Sequence, residues 1–324
     1  MNTSDRLLEQ ISGALSALSF PVCPEGLYEP VAYVLGMGGK RIRPMLMLMA
    51  YSLYRDDTEK VLPAAVGLET YHNHTLLHDD LMDRADMRRG KPTVHKRWND
   101  NTAVLSGDVM LILAFRHYLS CTCGHKDEML GLFARTAQEI CEGQQYDVNF
   151  ESRTDVSVEE YLEMIRLKTS VLLACAAKTG ALAAGAPEAE AEALYAFAER
   201  IGLAFQLQDD YLDVYGDPAV FGKKIGGDIL CGKKTFLLVS ALGRASVSQR
   251  DRLLALLAAG TMPPAEKIRA VTALYDELDI ADVCNEAIGR FYAEARDFLE
   301  RLDVPAERKE MLWDYVTALL GRSR

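Results

Sequence analysis

The sequence is short of positive charge. Among 324 residues, 36 Lys and Arg stand against 47 Asp and Glu, a formal net charge of −11. A nucleic-acid-binding surface needs the opposite balance, so no nucleic acid is expected as a partner. Small anions stay admissible, because a local basic pocket is enough for them. The cysteines, at 23, 121, 123, 141, 175, 231 and 284, include no CxxC pair. Cys121-Thr122-Cys123 is tighter than the usual zinc spacing, so reduced thiols in a cytoplasmic protein are the expectation. No HExxH zinc spacing occurs either, and metal ligation by histidine is not expected. Residues 1–20 lack the basic stretch and long apolar run of a signal peptide. No uninterrupted apolar run approaches the ~18 residues of a membrane span.

Strand signals are missing as well: no alternating apolar pattern is bounded by turn residues. Helical spacing of apolar residues runs instead through 61–82, 105–119, 129–147, 158–182, 189–214, 234–242, 251–259, 266–278, 281–302 and 306–320. Alanine and leucine dominate these stretches, and both are strong helix formers. Prolines such as Pro63, Pro187, Pro263, Pro264 and Pro305 fall between or at the starts of them. No linker and no fixed-period repeat appears. The expectation is an all-α helical bundle made of a single domain over 1–324.

Two acidic triplets close apolar helices. Asp79, Asp80 and Asp83 follow the run through Tyr71, Leu76 and Leu77. Asp209, Asp210 and Asp213 follow 201–207, and Asp217 extends the same face. Residues four apart share a helix face, so each triplet crowds like charges that repel unless a cation compensates them. All-oxygen donors select magnesium, or manganese, over zinc or copper. Magnesium is usually held by a few carboxylates together with substrate phosphates.

Basic groups accompany the acidic ones. Gly38-Gly39-Lys40-Arg41-Ile42-Arg43-Pro44 opens a helix. Arg88-Arg89-Gly90-Lys91 follows the first triplet. Lys168-Thr169 lies within a helix, and Gly222-Lys223-Lys224 and Gly232-Lys233-Lys234-Thr235 follow the second triplet. Glycine lets a backbone approach phosphate, and arginine binds phosphate oxygens bidentately. His72 lies seven residues before Asp79, on nearly the same face.

Together these segments resemble the trans-isoprenyl diphosphate synthases, or polyprenyl synthetases. The carriers are GGKRIRP at 38–44, LLHDDLMDRADMRRGKPT at 76–93, LKTS at 167–170 and FQLQDDYLDVYGD at 205–217. The resemblance implies an isoprenoid-synthase-type helical bundle around a deep central cavity, a homodimer, and about three Mg2+ ions gripping an allylic diphosphate. Asp79, Asp83 and Asp209 would be the principal ligands, with Asp80, Asp210 and Asp213 in support. Arg88, Lys168, Lys223 and Lys233 would hold the allylic diphosphate. Lys40, Arg43, His72 and Arg89 would hold isopentenyl diphosphate, with Phe205 packing near it. Thr169 and Gln206 would stabilise a carbocation. Arg322 and Arg324 are candidates for a tail that closes over the site.

In that family the positions four, five and eight before the first aspartate set product length; here they are Thr75, His74 and Tyr71. A rise of ~1.5 Å per residue puts His74 about 7.5 Å and Tyr71 about 12 Å below Asp79, a difference close to one isoprene unit. Blockage at His74 gives farnesyl diphosphate and blockage at Tyr71 gives geranylgeranyl diphosphate, so C15 to C20 is expected. Small residues at all three positions would have meant a longer-chain polyprenyl diphosphate synthase. A terpene cyclase is the alternative of another reaction class, but it would pair one DDxxD with a different metal motif and need no second diphosphate site. A non-catalytic partner subunit would tend to have lost an acidic motif.

Overall fold

Asn99, Ser157, Thr235 and Ser246 each accept a backbone N–H with their side chain and so begin a helix. Such caps satisfy donors that the first turn leaves unpaired. In a computed structural model, residues 3–217 and 225–321 are described, with side chains from 4 to 318. Lys223, Lys224, Arg322 and Arg324 lie outside the described residues. The helices run in the order α1 (Thr3–Ser16), α2 (Glu29–Leu35), α3 (Ile42–Ser52), α4 (Leu62–Met82), α5 (Val94–Arg97), α6 (Asp100–Ser120), α7 (Lys126–Glu151), α8 (Val158–Ile165), α9 (Val171–Ala184) and α10 (Glu188–Tyr215). Then follow α11 (Gly227–Cys231), α12 (Phe236–Arg244), α13 (Val247–Ala258), α14 (Pro264–Glu277), α15 (Ile280–Glu300) and α16 (Ala306–Gly321). The all-α expectation is met.

Three readings of the sequence change. A short antiparallel ribbon, β1 (Met87–Arg88) with β2 (Lys91–Pro92), interrupts the helices. Its two-residue loop is Arg89-Gly90, with φ of 51° and 75°, the positive-φ pair of a type I′ hairpin turn. The stretch 158–182 is not one regular helix: Arg166–Ser170 widens into a π turn between α8 and α9. Finally, Asp100–Ser120 and Val158–Ala184 are long and apolar enough to cross a membrane, although 78% of the second window is buried. Buried core helices pass the same test of length and composition.

Two compact units are present, Met1–Ala134 with Cys175–Glu192, and Arg135–Ala174 with Ala193–Arg324. In the first, α3 is buried all round, from Met45 to Leu53. α4 and α6 close on one another through glycine. A Cβ on Gly67 would sit 2.9 Å from the Ala114 carbonyl oxygen. Tyr118 stacks on Phe133 at 4.6 Å, and Tyr71 meets Phe133 edge-on at 5.2 Å. Truncating such a buried ring costs about 3–5 kcal/mol. In the second unit, Phe150, Tyr161, Leu207, Phe236, Leu253, Leu274, Tyr275 and Phe291 share one core.

Candidate active site

In the first unit the glycine-rich entry to α3 builds a basic cluster. Arg41 caps α3 with φ 50°, and its buried guanidinium donates to the Glu69 carboxylate and, at 2.8 Å, to the Leu35 carbonyl. Glu69, 2% exposed, also accepts from Asn73 at 3.0 Å. One turn along, Arg43 Nη1 lies 3.1 Å from His72 Nε2. The Nε of Arg43 is buried with no hydrogen-bond partner. Arg89 donates to the Gly38 carbonyl, and a Cβ on Gly39 would meet its guanidinium carbon at 2.9 Å. Gly39, at φ 136°, is therefore needed both for its backbone angle and for the room it leaves.

The charge states follow from this crowding. Burial pulls Arg43 down to about 10, against the pull of Glu69 and with help from Arg89. It stays cationic at neutral pH. Burial also pushes His72 well below its ordinary value, and Arg43, Arg89, Arg88 and Arg41 add to the effect. The imidazole is neutral and can serve as a hydrogen-bond donor or acceptor without adding charge. Of the expected isopentenyl-diphosphate residues, the structure gathers Arg43, His72 and Arg89, and leaves Lys40 exposed on the same segment.

The C-terminal end of α4 carries the first acidic triplet. Asp79 is half-buried, Asp80 is buried, and Asp83 is the exposed C-cap. Arg88 Nε donates to both oxygens of Asp80 at 2.8 Å. Asp80 and Arg88, expected to support a metal and to hold the allylic diphosphate, are thus paired with each other. The hairpin explains the pairing, because its two-residue turn folds Arg88 back onto α4.

The three length-setting residues have distinct surroundings. Tyr71 is buried against Phe133. His74 Nδ1 lies 2.9 Å from the Gly107 carbonyl, and burial first, then neighbouring His78, lowers the ring to about 4. His78 Nε2 lies 3.2 Å from the Val104 carbonyl. These two histidines, four residues apart, thus aim one ring nitrogen each at a carbonyl of α6. Thr75 is half-buried and donates back to the His72 carbonyl at 2.8 Å.

In the second unit the π turn positions Lys168 and Thr169. It is held between two glycines. A Cβ on Gly143 of α7 would strike the Lys168 amide nitrogen, and one on Gly202 of α10 would lie 2.7 Å from Ser170 Cα. Single π turns recur at functional sites. Lys168 Nζ donates to Asp147 Oδ2 at 2.6 Å. Thr169 Oγ1 donates to Gln206 Oε1 at 3.4 Å. Phe205 lies one turn before Asp209, and both are half-buried.

The rest of the second triplet is turned to structure. Asp210 is 3% exposed, and its Oδ2 accepts from Tyr161 and, at 2.9 Å, from the Phe236 amide. Its Oδ1 accepts from Gln206 at 3.2 Å, and burial lifts the carboxyl to about 7. Asp213 accepts from the Asp228 amide at 3.0 Å and so anchors the start of α11. Asp210 and Asp213, the expected supporting carboxylates, therefore also fix the start of α12 and of α11. Lys233 is exposed and follows Gly232, the left-handed C-cap of α11. Lys223 lies outside the described residues.

Among the described residues no three His, Cys, Asp or Glu side chains converge as a metal cage. Magnesium does not need one. Carboxylates are the hard oxygen donors it prefers, with substrate phosphates completing the shell; the first unit offers Asp79 and Asp83 and the second Asp209. Sequence reasoning missed the buried Glu69 and Tyr161 and the half-buried Asp147, the partners of Arg41, Asp210 and Lys168. Only Glu69 left a trace, three residues before His72 on the same helix.

A family profile described as polyprenyl synthetase matches residues 24–276. The short chain isoprenyl diphosphate synthase of Methanocaldococcus jannaschii is 43% identical over 256 residues, 79% of this chain and 78% of that one. The geranylgeranyl diphosphate synthase of Methanosarcina mazei is 43% identical over 234 residues, 71% of this chain and 72% of that one. A crystal structure of a geranylgeranyl pyrophosphate synthase, 43% identical, aligns over 100% of both chains with a TM-score of 0.94.

Proposed function

The chain belongs to the polyprenyl synthetase family, and from that premise we propose that it condenses isopentenyl diphosphate with dimethylallyl, geranyl or farnesyl diphosphate. The product is a trans-prenyl diphosphate of C15 to C20, and inorganic diphosphate is released. One observation carries this reading. Arg43 and Arg89 crowd a neutral His72, while Arg41 and Arg88 are already matched by Glu69 and Asp80. The Arg43 and Arg89 guanidiniums lie instead against an imidazole and a carbonyl. A diphosphate supplies the negative charge and the oxygens that such a pair accepts.

Asp79, Asp83 and Asp209 would hold magnesium, or manganese, with the phosphate oxygens of the allylic substrate; so held, about three ions would neutralise the leaving diphosphate. Lys168 and Lys233, with Lys223, bind the same diphosphate, Lys168 exchanging its bond to Asp147 for one to phosphate. Gln206 and Thr169 turn oxygen dipoles toward the allylic cation. Phe205 packs beside the isopentenyl group and helps exclude water, which would otherwise capture the cation. Catalysis on this reading is positioning and charge stabilisation, and no dedicated protein base is required.

The protein acts as a homodimer of single-domain chains. Leu105, Ile112 and Leu119, each more than half exposed, line one face of α6 at seven-residue spacing, a stripe apt for a partner helix. A cytoplasmic location is supported by seven free cysteines.

The experiment is radiolabelled isopentenyl diphosphate with each allylic primer and magnesium, followed by sizing of the chain. Products of C15 or C20 are expected. Hydrocarbon released from farnesyl diphosphate alone, or no incorporation with any primer, would overturn the proposal.

A further inference from the structure

Cys121 and Cys123 stand apart from the chemistry above. They sit at the end of α6, in the connection to α7. Their sulfurs lie 3.1 Å apart, and each also lies 3.0–3.1 Å from the Lys60 carbonyl oxygen. Cys121 is sealed and Cys123 is half-exposed. Two residues of chain span at most about 7 Å, and a disulfide joins Cα atoms roughly 4.4–6.8 Å apart. Spacing is thus no obstacle to a bond between them.

We propose that Cys121 and Cys123 are a redox-active dithiol, closed to an intrachain disulfide by low-molecular-weight disulfides and reopened by thiols. Cys123, the accessible member, gives up its proton and attacks one sulfur of the small disulfide, and a thiolate leaves. The Cys121 thiolate then attacks the Cys123 sulfur and expels the second small thiolate. Two protein thiols and one disulfide become one protein disulfide and two small thiols, so electrons and protons balance. The thiolate needed for the second, resolving step is favoured at Cys121, whereas the same sulfur contact, and then burial, push Cys123 above the ordinary thiol value. The hydrogen bond from Cys123 brings Cys121 down to about 6 against the effect of burial, with a further contribution from Lys126. Closing a loop with the single intervening residue Thr122 makes a strained and therefore labile disulfide.

Closure removes both S–H groups, and with them the contacts to the Lys60 carbonyl just before α4. Cys23, Cys141, Cys175, Cys231 and Cys284 are free thiols elsewhere in the chain. They are internal controls in the same molecule.

The test is the full chain, equilibrated in graded ratios of oxidised to reduced glutathione, quenched with an alkylating agent and mapped by mass spectrometry. Expected is a peptide holding Cys121 and Cys123 that loses two hydrogens and escapes alkylation, reversibly, while the other five cysteines remain alkylatable. With Cys121→Ser, Cys123 should instead retain a glutathione adduct. Full alkylation of both residues at every ratio, or a stable glutathione adduct on Cys123 of the unaltered chain, would overturn the proposal. Mapping of the unaltered chain needs no variant, so a folding defect in one cannot obscure the answer.

Discussion

His72 and His74 are both uncharged because α4 buries them, yet each answers to different neighbours. Burial first, then neighbouring His78, bring the folded value of His74 to about 4 against the opposing pull of the Gly107 carbonyl, from an ordinary ~6.5. Between those two values the unfolded chain binds the extra proton, so this group's contribution is present above pH 6.5 and is lost as pH falls. On going from pH 7.5 to 5.5, H74Q should retain on the order of 1 kcal/mol of stability that the unaltered chain loses. Chemical unfolding at both pH values measures it; equal slopes for the two proteins would refute the burial argument. At Arg43 the expectation is kinetic. R43Q removes a charge-assisted contact worth about 1.5–3 kcal/mol, so KM for isopentenyl diphosphate should rise roughly 10- to 100-fold with a smaller change in kcat. An unchanged KM would place that substrate elsewhere. These residues were legible in the sequence because they sit in short motifs with glycines and like charges. Their partners were not. Asp147 sits among Gln144, Gln145 and Asn149, and Tyr161 among Glu159, Glu160 and Glu163, so both read as ordinary surface, while Glu69 is a single charge in an apolar run.

Among the elements, the π turn at Arg166–Ser170 shows where helical periodicity runs out as a guide. Apolar spacing predicted one helix through 158–182, and a single inserted residue per turn hardly alters that spacing. The inserted residue is tolerated because Gly143 and Gly202 leave room on either side. G202A should displace Ser170 and with it Thr169, costing about 1–3 kcal/mol of stability and reducing kcat more than KM. Steady-state kinetics together with thermal unfolding separate the two effects; a stable variant of normal kcat would show that the turn's position is immaterial. The hairpin after α4 was unreadable for another reason. Strands of two residues carry no alternation, and Arg89 adopts a left-handed conformation that sequence would assign to glycine. The helices themselves were legible, and their starts moved by a few residues wherever a cap lay outside the apolar run. α6 begins at Asp100 behind Asn99, five residues before the apolar spacing starts.

At the scale of the whole molecule, product length and metal use remain to be joined to the fold. The aromatic and imidazole rings of Tyr71 and His74 are in contact, with centroids 5.4 Å apart. His74→Ala should lengthen the product by one isoprene unit, read as a shift of the chromatographed prenyl alcohol; an unaltered or shorter chain would remove His74 from that role. Asp79 and Asp209 come from different units and from motifs 130 residues apart, and the proposed reaction requires both. The most direct measurement is therefore turnover of Asp79→Ala and Asp209→Ala in saturating magnesium, with circular dichroism to establish the fold. Each should stay folded and lose at least about 10²–10³-fold in kcat. Near-normal turnover in both folded variants would contradict the assignment of either carboxylate to the metal-bound diphosphate.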